Sequence, residues 1–149
     1  MASTRPDKAT TGVMYAGLAL SAIAALVPLL DRATGNLLAE HVRAGYPTFP
    51  PERIDTAVTT WLVYLSVVGA IGVLCWFLVI RVVRSGRWWG RLLATAVFIL
   101  GLSVALFNLL VRDTSGDTGL PAALGWVGMV PALAGAVVVA RLWTQPRQA

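Results

Sequence analysis

Four long apolar runs separate the polar segments of this chain. They cover residues 11–30, 57–80, 92–111 and 119–140, and none of them contains Asp, Glu, Lys, Arg or His. A helix of about 20 apolar residues crosses the ~30 Å hydrocarbon core of a bilayer. Helices in soluble cores are shorter and keep a polar face. The pattern therefore predicts four transmembrane helices in a single all-α membrane domain covering residues 1–149.

The connecting segments predict an up-down-up-down bundle. Residues 113–118 (DTSGDT) read as a tight polar turn, which makes the third and fourth spans an antiparallel hairpin. The second and third spans are joined by a basic segment, residues 81–91. The first and second are joined by a much longer outer loop, residues 31–56. A loop of that length is more often functional than idle.

The outer loop is expected to contain a short helix. Thr34 is a candidate N-cap, and the helix should end near Gly45 because the following YPTFPP breaks a helix. Asp55 or Thr56 is then expected to cap the second span.

The distribution of charge predicts the orientation of the bundle. One side holds eight basic residues against a single acid, Asp7, and the other holds four basic residues against six acidic ones. The first set is Arg5, Lys8, Arg81, Arg84, Arg87, Arg91, Arg141 and Arg147. Short loops rich in arginine remain in the cytoplasm. We therefore expect both termini to be cytoplasmic, in a multi-pass protein of the plasma membrane.

The composition agrees with this assignment. Hydrophobic residues make up 57% of the chain and charged residues 13%, compared with about 25% charged in soluble domains. The mean hydropathy is +0.73. Abundant alanine, glycine, valine and arginine are typical of a GC-rich bacterial genome.

The basic segment RVVRSGRWWGR resembles a nucleic-acid surface only when its neighbours are ignored. Arginine interleaved with aromatic residues can hold phosphate and stack on bases. Between two spans, the same residues predict a membrane-surface turn, in which arginines attract anionic headgroups and tryptophans lie at headgroup depth. We expect Ser85 and Gly86 to form the turn, no nucleic-acid partner, and headgroup contacts from Arg81, Arg84, Arg87, Trp88, Trp89 and Arg91. A lipid-specific headgroup site is the sharper alternative.

The first span could instead be a signal peptide. It follows a basic start, and Ala22-Ile23-Ala24 has the small-x-small form of a cleavage site. The apolar run continues to Leu30, beyond a usual signal core, which favours an uncleaved span. Cleavage would leave three spans.

The absence of ionisable residues from the spans restricts the possible chemistry. Such residues are costly at depth and mark proton relays and ion pathways, so their absence argues against an enzyme or a proton-coupled antiporter. Cys75 is the one cysteine and forms no redox pair or thiolate metal site. His41 is the one histidine and lies in the outer loop, where it reads as solvated with Glu40, Glu52 and Asp55. We expect no catalytic residues, no metal and no cofactor.

Small residues at one-turn spacing predict close helix packing. They are Gly17 with Ser21, Gly69 with Gly72, and the series Gly125, Gly128, Ala132 and Gly135. Such residues let helix backbones approach each other in lipid. A face for self-association is the alternative, and Pro131 is expected to kink the fourth span.

Polar and aromatic residues near the outer ends of the spans suggest a ligand site. The default for Asn108 is a hydrogen bond to another helix. The functional alternative is a shallow, outward-facing pocket under the outer loop, formed by Trp61, Tyr64, Asn108 and Trp126.

These features favour a non-enzymatic integral membrane protein. It would bind a lipid-like or hydrophobic ligand, or a partner membrane protein, through the outer loop and the outer halves of its spans. The alternative is a subunit of a homo-oligomeric small transporter or channel. The expected partners are membrane lipids and another copy of this chain or another membrane protein.

The charge pattern makes a prediction about topology. A protease-cleavable tag at the C-terminus should be protected from external protease in intact cells, whereas the same tag within residues 31–56 should be cleaved. Cleavage of the C-terminal tag in sealed cells would contradict the predicted orientation.

Overall fold

The computed structural model describes residues 5–146, within which the chain forms five helices. These are α1 (Lys8–Thr34), α2 (Leu37–Gly45), α3 (Pro51–Arg84), α4 (Gly90–Leu110) and α5 (Ala122–Thr144). In the described part of the chain, α1, α3, α4 and α5 are long and apolar enough to cross a membrane. They pack side by side as an up-down-up-down bundle. The predicted all-α four-helix membrane bundle is confirmed.

The bundle has two chemically different ends. The basic end contains the start of α1, the α3–α4 turn and the end of α5, joined by a hydrogen bond from Arg141 Nε to Thr10 Oγ1 (3.0 Å). The loop end contains α2 and the α4–α5 turn, and there Arg32 of α1 forms an ion pair with Asp55 of α3. Arg147, assigned above to the basic side, lies outside the described residues.

Asp7 fixes the start of α1. Its carboxylate accepts a hydrogen bond from the backbone N–H of Thr10 (2.7 Å) and another from the Arg141 guanidinium (3.1 Å). The hydrogen bonds with Thr10, and secondarily the hydrogen bond and the charge of Arg141, lower the pKa of Asp7 to about 2. The capping carboxylate therefore also ties α1 to α5.

The helices extend beyond the apolar runs, and two expected caps are wrong. Thr34 is the last residue of α1, and its hydroxyl donates to the Leu30 carbonyl (2.7 Å). The start of α2 is capped instead by Asp31, whose two carboxylate oxygens accept from the N–H groups of Leu37 (2.9 Å) and Leu38 (3.0 Å). The predicted end of this short helix at Gly45 is confirmed.

The second span also begins earlier than expected. α3 starts at Pro51, because a proline at the first helical position has a suitable φ and needs no hydrogen-bond partner for its nitrogen. Asp55 and Thr56 therefore lie inside the helix rather than capping it, and Thr56 donates back to the Glu52 carbonyl (2.8 Å).

The two tight turns have the expected positions. Between α3 and α4 the turn occupies residues 85–89, and Gly86 adopts a left-handed conformation with φ of 71°. Between α4 and α5, Gly116 has φ of 93°, and the Asp113 carboxylate accepts from the Ser115 N–H (2.8 Å). Positive φ favours glycine at both positions.

Glycines lie where the spans approach most closely. A Cβ at Gly69 of α3 would lie 2.5 Å from Ala25 Cβ and 3.1 Å from Ala25 Cα on α1. A Cβ at Gly125 of α5 would lie 3.1 Å from the Cα of Leu109 on α4. The Trp76 ring covers Gly17 in the same way. These contacts hold α1 to α3 and α4 to α5.

The Gly69 contact predicts a specific loss of stability. Gly69→Ala forces the α1 and α3 backbones apart, and overpacking of this kind costs about 1–3 kcal/mol of unfolding free energy. Gly72→Ala is the matched control, because a Cβ there meets no described atom within 4 Å. Thermal unfolding in detergent should show a lower midpoint for Gly69→Ala and little change for Gly72→Ala. Equal midpoints for the two variants would contradict this packing.

Candidate functional site

A cavity of about 340 Å³ lies between the four spans. All four spans contribute to its lining, including Ser21 of α1, Trp76 of α3, Asn108 of α4 and Pro131 of α5. Its volume is within the range of roughly 300–1,000 Å³ that is typical of small-molecule sites. Along α4 the lining extends from Ala94 to Asn108. Fourteen residues at about 1.5 Å each make the cavity about 21 Å long.

Three glycines of the lining face open space. Gly72, Gly101 and Gly128 belong to three different spans, and all three line the cavity. A Cβ at each position would meet no atom of the described chain within 4 Å. These glycines therefore differ from Gly69 and Gly125, where a neighbouring helix occupies the space that a Cβ would need.

Two prolines also line the cavity. Pro28 lies inside α1 and Pro131 inside α5, which pack against each other. A proline in a helix interior removes one backbone hydrogen bond and favours a bend. The sequence analysis above predicts a kink at Pro131, and Pro28 lies inside its helix in the same way.

The cavity opens sideways between α3 and α4. These two spans pack against each other less extensively than the other neighbouring pairs. Ile71 of α3 is 55% exposed and Leu100 of α4 is 68% exposed, and both also line the cavity. Because these residues belong to the transmembrane parts of their helices, the mouth faces the lipid rather than water.

Two apolar clusters close the ends of the cavity. The basic-end cluster includes Met14, Val79, Val83 and Leu142. The loop-end cluster is built around buried Leu38 and Val42 of α2 and includes Ile54, Val58, Leu65, Leu120 and Leu124. Leu65 and Leu124 also line the cavity, so α2 and the residues beneath it form the cover of its loop end.

Polar contacts hold α2 in this position. His41 Nε2 hydrogen-bonds the carbonyl of Thr118, and the Tyr46 hydroxyl hydrogen-bonds Thr114 Oγ1 (2.6 Å). Asp113 lies beside them: burial raises the pKa of its carboxyl group, but hydrogen bonds from Ser115 and Tyr46 and the charge of His41 outweigh burial and lower it. The histidine expected to be solvated is therefore partly buried at a contact between the outer loop and the α4–α5 turn.

One polar pair lies at the loop end of the cavity. The Tyr64 hydroxyl donates to Asn108 Oδ1 (2.8 Å), which joins α3 to α4. Asn108 is only 6% exposed and lines the cavity. The Trp61 ring meets Tyr64 edge-on, with centroids 5.7 Å apart. Three of the four residues proposed from the sequence are thus brought together.

Trp126 does not join this group. It is 59% exposed on α5. Its neighbour Gly125 packs against Leu109 of α4, and successive helical residues point about 100° apart, so Trp126 faces outward. The site also differs in shape from the shallow pocket expected from the sequence, because it is deep, covered by α2 and open to the side.

The basic segment supplies both surface and buried residues. Arg81, Arg84, Arg87 and Trp88 are exposed at the basic end, and Trp89 is half-buried, with the Arg87 guanidinium 5.9 Å from its ring centroid. Arg91 is only 8% exposed and donates to the carbonyl of Gln145 (3.2 Å), at the end of α5. A cation is favoured at a helix C-terminus. The Arg91 side chain is therefore directed into the bundle rather than toward headgroups.

The lining contains no ionisable side chain apart from the Cys75 thiol, among the residues that the structure describes. Between residues 5 and 146 there is also no group of three or more His, Cys, Asp or Glu residues that could hold a metal ion. The polar side chains of the lining are those of Ser21, Cys75, Trp76 and Asn108.

The Tyr64–Asn108 bond makes a prediction about stability. Tyr64→Phe removes the hydroxyl and should lower the unfolding free energy by about 0.6–1.5 kcal/mol, the usual worth of such a bond between helices. Tyr15→Phe is the control, because Tyr15 accepts its bond from Arg84 at an exposed position. Chemical or thermal unfolding in detergent would measure both, and equal effects would argue against a special role for the buried pair.

Comparison of the chain with protein-family models, curated proteins and solved structures finds no match.

Proposed function

We propose that this chain is a non-enzymatic integral membrane protein that takes the hydrocarbon chain of a lipid-like molecule into the cavity between its spans. The observation that carries this proposal is the cavity itself, long, apolar and open toward lipid between α3 and α4. A hydrocarbon chain can enter such a mouth from the bilayer without crossing water. In the same proposal the basic end faces the cytoplasm and the membrane is the plasma membrane.

The closed ends favour lipid binding over transport of a polar solute. An aqueous pathway needs polar groups or water along its length. The basic-end and loop-end clusters are apolar, and they close the cavity at both ends. A channel formed by several copies would therefore have to run outside the individual bundle.

The outer loop also favours a ligand over a partner protein docked on α2. Leu38 and Val42 face inward and are buried in the loop-end cluster. These two residues are therefore already packed against the bundle, which leaves Leu37 as the one large apolar residue of α2 that is exposed, whereas the cavity beneath α2 is open.

Photolabelling tests this function. The full chain would be reconstituted in nanodiscs with a trace of a hexadecane-chain probe that carries a terminal diazirine, and adducts would be mapped by mass spectrometry. We expect adducts at residues lining the cavity in α3 and α4. Gly128→Leu places a side chain in the cavity and should reduce these adducts about fivefold or more, which corresponds to a loss of about 1 kcal/mol of binding free energy.

Gly12→Leu is the matched control. It makes the same change at a glycine that also has room for a side chain, since a Cβ there would meet no described atom within 4 Å. Gly12 lies outside the cavity lining. Its labelling should equal that of the wild type. Adducts confined to outward-facing residues, or equal labelling of Gly128→Leu, would contradict the proposal. Solute flux through liposomes containing the protein would favour the transporter alternative.

A further inference from the structure

Asn108 carries an unused hydrogen-bond donor at the cavity wall. Its Oδ1 accepts from the Tyr64 hydroxyl, which fixes the orientation of the side-chain amide. No hydrogen bond from its Nδ2 is found among residues 5–146, and this nitrogen is not one of the fully buried atoms that lack a partner, so it keeps some accessible surface. The residue is 6% exposed and lines the cavity. An amide N–H that stays accessible at an apolar cavity wall, and that no group of the protein accepts, is available to donate to a ligand.

We propose that the Asn108 amide donates a hydrogen bond to the carbonyl oxygen of an uncharged lipid, such as an ester or a ketone, whose hydrocarbon chain fills the cavity. This inference rests on the function proposed above and narrows it to one chemical class. The ligand must carry a hydrogen-bond acceptor, because the group of Asn108 that has no partner is the N–H donor of its amide.

The cavity excludes a charged head. No Lys, Arg or His lines the described cavity to pair with a carboxylate or a phosphate, and an unpaired charge is very costly to bury. The loop-end cluster also covers the cavity beside Leu65 and Leu124, so a headgroup could leave only sideways, through the apolar mouth between α3 and α4. The lipid must therefore be neutral at the end that reaches Asn108.

The depth of Asn108 suits a carbonyl group. It lies two residues before the end of α4, while the lining continues to Ala94 near the other end of that helix. A lipid held at Asn108 thus places its chain along the remaining length of the cavity. Ser21 is a second polar side chain of the lining and belongs to the middle of α1. It is a competing site for the carbonyl, as is the indole N–H of Trp76, which also lines the cavity.

Two matched probes test the inference. The first is the hexadecane-chain diazirine probe, and the second has the same chain and diazirine but ends in a methyl ester. At equal subsaturating concentrations, the ester should label the cavity of the wild-type chain about three- to tenfold more than the hydrocarbon, as expected for one hydrogen bond. The corresponding free acid at pH 8 should label less than the ester.

Variants assign the preference to one side chain. Asn108→Leu should abolish the ester preference while labelling by the hydrocarbon probe persists. Ser21→Ala removes the competing hydroxyl and should keep the preference, because it retains both the Asn108 amide and its Tyr64 partner. An ester with a ¹³C carbonyl gives an independent readout in the wild-type chain: its infrared stretch should move to lower frequency on binding, and it does not depend on the folding of any variant.

The outcomes separate this inference from the proposed function. Absence of cavity adducts with either probe overturns both. Equal labelling by the two probes in the wild type, or an ester preference that survives Asn108→Leu, overturns the role of Asn108 and leaves the lipid-chain function standing. Loss of the preference in Ser21→Ala alone overturns the assignment to Asn108.

Discussion

The hydrocarbon core of the bilayer offers no water to backbone groups or charges, and this constraint governs the rest of the molecule. Each span must satisfy its own backbone as a helix, and ionisable side chains must lie at the ends. The ion pairs follow this rule: Arg32 with Asp55 at the loop end and Arg141 with Asp7 at the basic end. Inside, the helices attract each other only through close packing and a few hydrogen bonds.

Glycine has two opposite roles under this constraint. At Gly69 and Gly125 it lets two backbones meet, and a Cβ would collide with the neighbouring helix. At Gly72 and Gly128 it leaves a gap that no described atom fills. An apolar cavity enclosed by protein can remain empty. In a bilayer the mouth between α3 and α4 is bathed in hydrocarbon chains, so the gap has an occupant available.

Composition was sufficient to predict the spans but not their ends. The number of spans follows from runs of apolar residues, whereas α3 continues through Arg81 and Arg84 because charged residues can remain helical outside the hydrocarbon. Proximity in the sequence predicts Thr34 as the cap of α2, but Asp31 reaches the start of α2 from one turn earlier in α1. A helix is capped by whichever nearby polar side chain can reach its free N–H groups. Several polar residues near the start of α2 could do so.

The site was predictable only in part, for a related reason. The sequence predicts that Tyr64 and Asn108 lie close together, because two polar side chains at similar depth in neighbouring spans can hydrogen-bond each other, as they do. Depth along the span is the only feature that groups Trp126 with them. Its side chain points outward because the preceding residue, Gly125, faces α4. Whether a glycine such as Gly128 closes a contact or opens a cavity depends on the facing helix. That information is not contained in the span to which the glycine belongs.

The cavity opens between α3 and α4, so the outer loop covers the cavity rather than binding the ligand directly, as its length suggested. Leu65 and Leu124 belong both to the cavity lining and to the cluster beneath α2. A ligand in the cavity would therefore touch the underside of this cover, and it would reach the site from the bilayer rather than through the loop. His41 and Tyr46 hold the cover to the α4–α5 turn. In the proposed function, the loop thus keeps water from the Asn108 N–H, which has no partner among the described residues, and leaves that donor for a lipid.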